Sequence, residues 1–391
     1  MLTRGPDGTL RLPALTTAHS HAFQRAMRGR AQRPLAPGAD DFWTWRGQMY
    51  ELASSLTPES IHRVSLVAFR ELARAGVRTV GEFHYVHHQA DGTPYGDRTV
   101  LADAVILAAR EANLRIALLR VAYHRDGPGR PAEPGQRRFC DPSIDDVLGD
   151  VDTLRARYAG DPDVVIGLAP HSVRAVPPDW LAPLGQYAKA RDLPLHMHVA
   201  EQAREVSECV AETGRRPVEL LADSGLLSPR FVAVHATNLL AHEAALLGDA
   251  GAFACLCPTT ERDLGDGLPD IGALRRAGVR LCTGVDSHVL VDPIEDLRAL
   301  ETHERLRTRS RVTFEPPRTG TPAEDLWRSG SLEGSAACGF FDGGGPAGGE
   351  IAIPEGHPSL ELVPPEFLLD AIVFGLSSGS FSPLPVAAGS R

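Results

Sequence analysis

Two histidines one residue apart, His19 and His21, lie in the stretch TTAHSHAF (residues 16–23). Side chains alternate along a β-strand with period two, so both imidazoles point to one side if a strand ends here. Such a pair can bind a divalent metal ion or can simply pack together without a ligand. The motif alone does not choose between these alternatives, and a metal site needs further ligands elsewhere in the chain.

Further potential ligands follow short apolar segments. His171 ends VVIGLAPHS, His196 and His198 lie in LPLHMHVAE, His235 follows FVAV, and Asp286 follows VRLCTGV. Three neutral imidazoles, one carboxylate and an open position for water form a ligand set that suits Zn²⁺. Because single histidines at strand ends are common in protein cores, the hypothesis depends on whether these strand ends meet.

LHMHVAE offers two candidate ligands on the same face of one strand, so the spacing does not choose between His196 and His198. Glu201 follows His198 by three residues, where the strand passes into a helix. From there its carboxylate can reach a water molecule on the metal. The pattern H-x-x-E therefore favours His198 as the ligand and Glu201 as a proton shuttle.

The position of the single lysine bears on whether the site holds one metal ion or two. Two-metal hydrolases of barrel architecture often bridge their ions with a carbamylated lysine on the fourth strand, which in this sequence would be the segment VVIGLAPHS (164–172). Lys189 is the only lysine among 40 basic residues, and it lies in the helix after that strand. The sequence therefore predicts one divalent ion.

The elements that must position these residues alternate between short apolar strands and amphipathic helices. The predicted strands are 12–21, 77–86, 114–124, 164–172, 193–201, 231–237, 252–260 and 279–288. The clearest predicted helices are 58–76, 98–114, 143–160, 178–192 and 293–307. Eight such units predict a (β/α)₈ barrel over residues 12–310, in which strand ends converge on one mouth. No G-x-G-x-x-G follows the first strand, which disfavours a doubly wound nucleotide-binding sheet.

Residues 311–391 break this pattern. They predict a C-terminal extension of helix and loop with a possible remnant of a small β domain, and the Gly- and Pro-rich segment 340–356 predicts a loop or linker. The stretch 123–139 predicts a long irregular loop after the third strand that acts as a lid. His87 and His88 are expected to be loop residues and not ligands.

Composition excludes several classes of protein. A formal charge of −10 argues against a nucleic-acid-binding protein. No apolar run reaches the ~20 residues that span a bilayer, and the first residues lack the apolar core of a signal peptide, so we expect a cytoplasmic protein. The six cysteines are scattered, and those in apolar segments are expected to be buried thiols.

HSH on the first strand, HVAE on the fifth, VHAT on the sixth and GVDSH on the eighth together resemble the amidohydrolase superfamily, in its mononuclear deaminase branch. More narrowly, about residues 15–310 resemble the formimidoylglutamate deiminase family. The stretches that carry this resemblance are HSHAFQRAMRG (19–29), DFWTWRGQMY (41–50), GEFHYVHH (81–88), GQRRF (135–139), LAPHSVRAV (168–176), TTERDLGDG (259–267) and GVDSHV (284–289).

The resemblance implies a metal-dependent deiminase of histidine degradation. Its metal ligands would be His19, His21, His198 and Asp286, and the ion would be Zn²⁺. Hydroxide formed on the metal would attack the formimino carbon of N-formimino-L-glutamate, giving N-formyl-L-glutamate and ammonia. His235 would orient the water, Asp286 would accept its proton and Glu201 would protonate the departing nitrogen.

The resemblance also implies residues that bind the glutamyl part of the substrate: Gln24, Arg46, Tyr85, His171 and Arg174. Two carboxylates call for cationic partners, and the planar guanidinium suits them better than a lysine amine. Each arginine alone, among 39 in this chain, is more often a solvated or salt-bridged surface residue. The expected partner is thus a small dicarboxylate, and the family also suggests a homodimer.

Members of this family usually build a small β-sandwich from both chain termini. Only 18 residues precede His19, so this sandwich is expected to be reduced or incomplete. Two other functions stay open: a related deaminase acting on another amidine, guanidine or heterocycle, and a non-catalytic paralogue. A neutral ring has little use for two converging arginines, and a silent paralogue has no need of Glu201 or Asp286.

Overall fold

The computed structural model describes residues 1–33, 41–316, 318–341 and 348–384. Its strands are, in chain order, β1 (Thr3–Arg4), β2 (Thr9–Pro13), β3 (Leu15–Ser20), β4 (Val77–His84), β5 (Arg115–Ala122), β6 (Arg125–Gly127), β7 (Arg130–Pro131), β8 (Val164–Pro170), β9 (Leu195–Val199), β10 (Phe231–His235), β11 (Phe253–Leu256), β12 (Arg280–Thr283), β13 (Glu350–Pro354) and β14 (Ser382–Pro383). Its α-helices are α1 (Phe42–Ser54), α2 (Pro58–Arg74), α3 (Val100–Glu111), α4 (Ile144–Arg157), α5 (Pro178–Ala190), α6 (Ala203–Thr213), α7 (Pro217–Asp223), α8 (Ala241–Asp249), α9 (Pro258–Leu264), α10 (Ile271–Arg276), α11 (Pro293–Thr308), α12 (Pro322–Arg328), α13 (Gly334–Ala337) and α14 (Leu368–Gly375).

The predicted barrel is confirmed. Eight parallel strands pair in the order β3-β4-β5-β8-β9-β10-β11-β12, and each lies inside one of the segments predicted from the sequence. The first and last strands meet at a parallel bridge between Ser20 and Asp286. There the His21 N–H donates to the Asp286 carbonyl over 3.0 Å, and the Asp286 N–H donates to the His19 carbonyl over 3.1 Å. Barrel closure itself therefore brings three predicted ligands together.

Local sequence signals place the helices around this barrel, as α2 shows. Thr57 caps its first turn by accepting from the Ser60 N–H over 3.2 Å, and Pro58 occupies the first helical position. The buried face is formed by Ile61, Ser65, Ala68, Phe69 and Leu72. Gly76, at φ +85°, lets the chain turn directly into β4.

The two ends of the chain form a second, antiparallel sheet in the order β1-β2-β13-β14. Leu12 pairs with Ile351 and Leu10 with Ile353, and all four side chains are buried. The expected remnant of a β-sandwich is thus a single four-stranded sheet. The expectation of a loop or linker over 340–356 is wrong at β13, because burial against β2 favours a strand over Glu350–Pro354, while 342–347 lie outside the described residues.

The region after residue 310 also covers the N-terminal end of the barrel. Helices α12 and α13 flank a π-helical turn at Ser329–Glu333. The Thr16 hydroxyl donates to the Ser331 carbonyl over 3.3 Å, and the fully buried Trp327 donates from its indole to the Pro13 carbonyl over 3.1 Å. These contacts leave the opposite, C-terminal end of the strands as the open mouth.

Two further observations concern the cysteine thiols and the question of a membrane-spanning helix. All six cysteines are free thiols, and all but Cys140 are buried. Across the described ranges, no helix combines the length and apolarity that crossing a membrane requires.

Candidate functional site

The C-terminal ends of the barrel strands bring four predicted ligands to one point. The Nε2 atom of His19 lies 3.1 Å from Nε2 of His21 and 3.2 Å from Nε2 of His198. Oδ1 of Asp286 lies 3.6 Å from Nε2 of His19 and 3.4 Å from Nε2 of His21. All four residues are buried. The strand ends thus place three imidazoles and one carboxylate around a common centre.

The hydrogen bonds on the far side of these rings show that the cluster suits a metal ion. Nδ1 of His21 lies 3.0 Å from the Phe83 carbonyl, and Nδ1 of His198 lies 3.0 Å from the His171 carbonyl. A carbonyl only accepts, so both Nδ1 atoms carry the proton and both Nε2 atoms present lone pairs. Burial keeps the rings neutral, because it lowers the pKa of His21 to about 3 and that of His198 well below its usual value. The lone pairs of His21 and His198 both face Nε2 of His19, so a cation at this point would be bound by all three rings.

The structure separates the two histidines of β9. His198 lies at the mouth, whereas Nε2 of His196 lies 2.9 Å from the Ala337 carbonyl at the N-terminal end of the barrel. His196 is fully buried there, and the ring cannot reach the ligand cluster. The preference for His198 that the sequence indicated agrees with this placement.

His235 lies beside the ligand cluster among three carboxylates. Its Nδ1 is 3.3 Å from Oε1 of Glu261, and its Nε2 is 3.8 Å from Oε1 of Glu201 and 3.7 Å from Oδ2 of Asp286. Burial alone would lower the pKa of His235, but Glu201, Glu261 and Asp286 together raise it to about 10. The ring is therefore protonated at neutral pH in the metal-free protein.

The carboxyl groups of the site hold their protons more tightly than usual. Burial raises the pKa of Asp286 to about 7, and it also raises the pKa of Glu201, with Glu261 adding repulsion in both cases. Asp266 lies beside Glu201 and His235, and burial raises its pKa to about 9. A cation bound at the cluster would lower the pKa of Asp286 again. The site can thus hold and release protons near neutral pH.

The backbone is strained at three of these strand ends. Ala200, His235 and Asp286 adopt left-handed φ angles of 51°, 68° and 55°. Side chains other than glycine avoid this region, so each position costs about 1–3 kcal/mol that the surrounding packing offsets. Such strain is typical of functional sites, because it aims the side chains that follow a strand.

The five residues expected to bind substrate line the same cleft as the ligand cluster. The cleft has an empty volume of about 480 Å³, and its walls include Gln24, Arg46, Tyr85, His171 and Arg174. The Gln24 amide donates to the Tyr85 hydroxyl over 2.7 Å. His171 packs against His198 with ring centroids 4.7 Å apart. The predicted site residues therefore line one cavity, except for His19, which is fully buried behind it in the ligand cluster.

The comparisons with known proteins identify the family. Residues 10–346 match the model of the amidohydrolase family. The chain belongs to the amidohydrolase family. Its sequence is 42% identical over 303 residues to a formimidoylglutamate deiminase of Pseudomonas aeruginosa, and 30% identical over 284 residues to an 8-oxoguanine deaminase of the same species. These alignments cover 77% and 70% of this chain, but 66% and 59% of the two enzymes, so the chain spans less than two thirds of either.

Solved structures agree with the assignment. The crystal structure of an amidohydrolase from Brucella melitensis superposes with a TM-score of 0.84 at 33% identity, covering 97% of this chain and 90% of that one. An adenosine deaminase from Xanthomonas campestris, solved with bound zinc, gives a TM-score of 0.78 at 23% identity, with 96% and 78% covered. The second likeness shows the shared fold alone.

Sequence reasoning missed several residues of this amidohydrolase site. Glu261 and Asp266 lie in TTERDLGDG, and Gln136 lies in GQRRF, two stretches that supported the family resemblance without receiving a role. The predicted irregular loop over 123–139 is also wrong in part. It contains the β6–β7 hairpin and a 3₁₀ helix at Pro134–Phe139, because the Gln136 side chain accepts from the Glu133 N–H over 2.7 Å and closes the turn.

Proposed function

We propose that this amidohydrolase hydrolyses N-formimino-L-glutamate to N-formyl-L-glutamate and ammonia, with one Zn²⁺ ion held by His19, His21, His198 and Asp286. The observation that carries the proposal is the cleft itself, whose walls contain His21, His198 and Asp286 of the ligand cluster together with two arginines, the half-buried Arg46 and the buried Arg174. The 42% identity to a formimidoylglutamate deiminase supports it. A substrate with a hydrolysable amidine and two carboxylates fits this combination.

The arginines have unused capacity for an anion. Nη2 of Arg46 donates to Oδ1 of Asp126 over 3.1 Å, while its buried Nη1 has no partner among the described residues. Nη1 of Arg174 makes only long contacts, 3.5 Å to the Tyr123 hydroxyl and 3.4 Å to the Asp126 carbonyl. A buried guanidinium without a full set of acceptors favours a carboxylate ligand.

The residues around the ligand cluster divide the proton transfers. A divalent ion held by the ligand cluster would supply hydroxide at neutral pH, because it would lower the pKa of water towards ~7. Asp286 is placed to accept the proton that remains on the hydroxide oxygen as this oxygen bonds to the formimino carbon and becomes the carbonyl oxygen. Glu201, whose pKa burial raises, is placed to pass one proton to the leaving nitrogen, and the proton accepted by Asp286 is the second that this nitrogen needs before the carbon–nitrogen bond breaks and ammonia leaves. Glu261 fixes the ring of His235, which lies beside both acids and is assigned the role of orienting the water.

An ammonia-release assay tests the proposal on the zinc-loaded protein. We expect ammonia from N-formimino-L-glutamate and none above background from guanine or cytosine, because neutral rings offer no carboxylate to either arginine. Elemental analysis of the same sample should give one zinc per chain. A folded, zinc-loaded protein that releases no ammonia from N-formimino-L-glutamate would refute the assignment, and activity on a heterocycle alone would favour the related-deaminase alternative.

A further inference from the structure

Gln136 is a fully buried side chain that contacts two tyrosines in the wall of the cleft. Its Nε2 lies 3.0 Å from the hydroxyl oxygen of Tyr50 and 2.9 Å from that of Tyr123. Its Oε1 accepts from the Glu133 N–H over 2.7 Å, which fixes the orientation of the amide. The amide nitrogen therefore faces the two tyrosines and also Oδ1 of Asp126, which lies 3.1 Å away, and it shares its two hydrogens among these three acceptors.

Counting hydrogens shows that one phenol proton lacks an acceptor in the protein. The two hydroxyl oxygens are 3.4 Å apart, so only one of Tyr50 and Tyr123 can donate to the other at a time. The Gln136 nitrogen can only donate to these hydroxyl groups, and within the described ranges neither tyrosine has an acceptor other than its neighbour. Burial raises the pKa of Tyr50 well above its ordinary value, so the phenol keeps its proton. A buried donor without an acceptor is costly unless a ligand supplies one.

The groups around these tyrosines are donors as well. Arg46 presents its unpartnered Nη1, and Arg174 presents a guanidinium that contacts no carboxylate of the described chain closely. Among the described residues, the carboxylate in contact with this group is Asp126, and it already accepts from Arg46 over 3.1 Å, from Arg130 over 3.0 Å and from Gln136 over 3.1 Å. Such a surplus of donors over acceptors suits an anion.

The order of the rings indicates which carboxylate of the substrate reaches this place. His198 belongs to the ligand cluster, His171 packs on it at 4.7 Å, and Tyr123 packs on His171 at 4.7 Å. Tyr123 is thus one ring further from the ligand cluster than His171, and the hydroxyl group of Tyr50 lies 3.4 Å from that of Tyr123. In N-formimino-L-glutamate the α-carboxylate is close to the formimino group, whereas the side-chain carboxylate lies at the far end.

We propose that Tyr50 and Tyr123 donate hydrogen bonds to the side-chain carboxylate of the substrate, and that Gln136 is a positioning residue that keeps their hydroxyl groups turned for it. This inference rests on the proposed function and adds the groups that select a carboxylate at this end. The tyrosines distinguish a carboxylate from a carboxamide, because both carboxylate oxygens accept hydrogen bonds, whereas the nitrogen of a carboxamide only donates them.

The test compares two substrates on the zinc-loaded enzyme: N-formimino-L-glutamate and N-formimino-L-glutamine, whose side chain ends in an amide. In the double variant Tyr50→Phe/Tyr123→Phe we expect KM for the glutamate substrate to rise about 10- to 100-fold, with kcat within about 3-fold. The ratio of kcat/KM values, glutamate over glutamine, should fall at least ~10-fold. Gln136→Met should lower the same ratio although both hydroxyl groups remain.

A binding measurement gives a second readout without turnover. Calorimetry with N-formyl-L-glutamate should show a Kd that rises by the same factor in the double variant. Tyr158→Phe is the matched control, because the Tyr158 hydroxyl contacts Asp103 away from the cleft. Unchanged ratios, or equal losses on both substrates, would overturn the inference while wild-type ammonia release leaves the proposed function intact. An inactive wild-type protein would instead overturn the proposed function.

Discussion

Arg174→Leu is the substitution that most directly probes substrate recognition. The Arg174 side chain is 6% exposed and faces the cleft, and its closest acceptors are the Tyr123 hydroxyl at 3.5 Å and the Asp126 carbonyl at 3.4 Å. Its charge is thus compensated weakly by the protein, and in the proposed complex a substrate carboxylate compensates it. Leucine fills much of the same space without the charge.

The expected loss of kcat/KM follows from the interactions with the substrate that Arg174→Leu removes. Removing a charged hydrogen-bond donor costs about 1.5–3 kcal/mol, and leaving a carboxylate in a desolvated pocket raises the total to about 2–4 kcal/mol. At 1.36 kcal/mol per tenfold, kcat/KM for N-formimino-L-glutamate should fall about 30- to 1,000-fold. The free energy of unfolding should change by less than about 1 kcal/mol, because only two long contacts are lost.

The assay is steady-state ammonia release, with thermal unfolding measured on the same samples. Arg174→Lys keeps the charge without the planar fork and should lie between the wild type and Arg174→Leu. Arg191→Leu is the matched control, because Arg191 is a partly exposed residue that contacts Asp152 and Tyr187 on the outer face. A kcat/KM for Arg174→Leu within about 3-fold of the wild type would show that Arg174 does not bind the substrate.

Three further predictions concern the ligand cluster and the barrel below it. His198→Ala should remove zinc from the purified protein, whereas His196→Gln should retain it, as elemental analysis will show. Glu82 is buried and its pKa is raised to about 8, so it keeps a proton in the folded chain that the unfolded chain loses near pH 4.5. Stability should therefore fall as pH rises between about 4.5 and 8, and the melting temperature of Glu82→Gln should fall less over this window. Gly284→Ala should weaken zinc binding at least ~10-fold, because the new Cβ would lie 2.6 Å from Cβ of His19 and displace that ligand.

Each of these outcomes has a result that contradicts it. Equal zinc content in His198→Ala and the wild type would exclude His198 as a ligand. Parallel melting curves against pH for Glu82→Gln and the wild type would mean that Glu82 ionises normally. For Gly284→Ala the control is Gly149→Ala, where nothing lies within 4 Å of the added Cβ, and equal zinc affinity in both would show that His19 tolerates the contact.

Local sequence determined the barrel and most of the cluster. Apolar strands with polar ends, alternating with amphipathic helices, predict eight units, and period two places His19 and His21 on one side. Because all strand ends of a parallel barrel meet at one mouth, ligands far apart in the chain could be assigned to a single site. The aromatic and arginine motifs then indicated which family the chain resembles.

The sequence did not predict contacts between residues that are far apart in the chain. Glu350–Pro354 forms a strand only because Thr9–Pro13 lies beside it, more than 300 residues earlier in the chain. The contact of Gln136 with Tyr50 joins a 3₁₀ turn to helix α1, and Glu261 reaches His235 from the next strand–helix unit. Side-chain partners of this kind depend on the packed arrangement of elements, which composition and spacing do not specify.

His196 and His198 show most clearly what the sequence determined and what only the tertiary structure decided. Both side chains point into the barrel, as alternation requires, and the sequence favoured His198 only through Glu201. A strand rises about 3.3 Å per residue, so the two rings lie about 7 Å apart in depth. At one depth the ring meets lone pairs of other strand ends, and at the other it meets the carbonyl of Ala337. Periodicity sets the face on which a side chain lies, but only the packing of all eight strands sets what it faces.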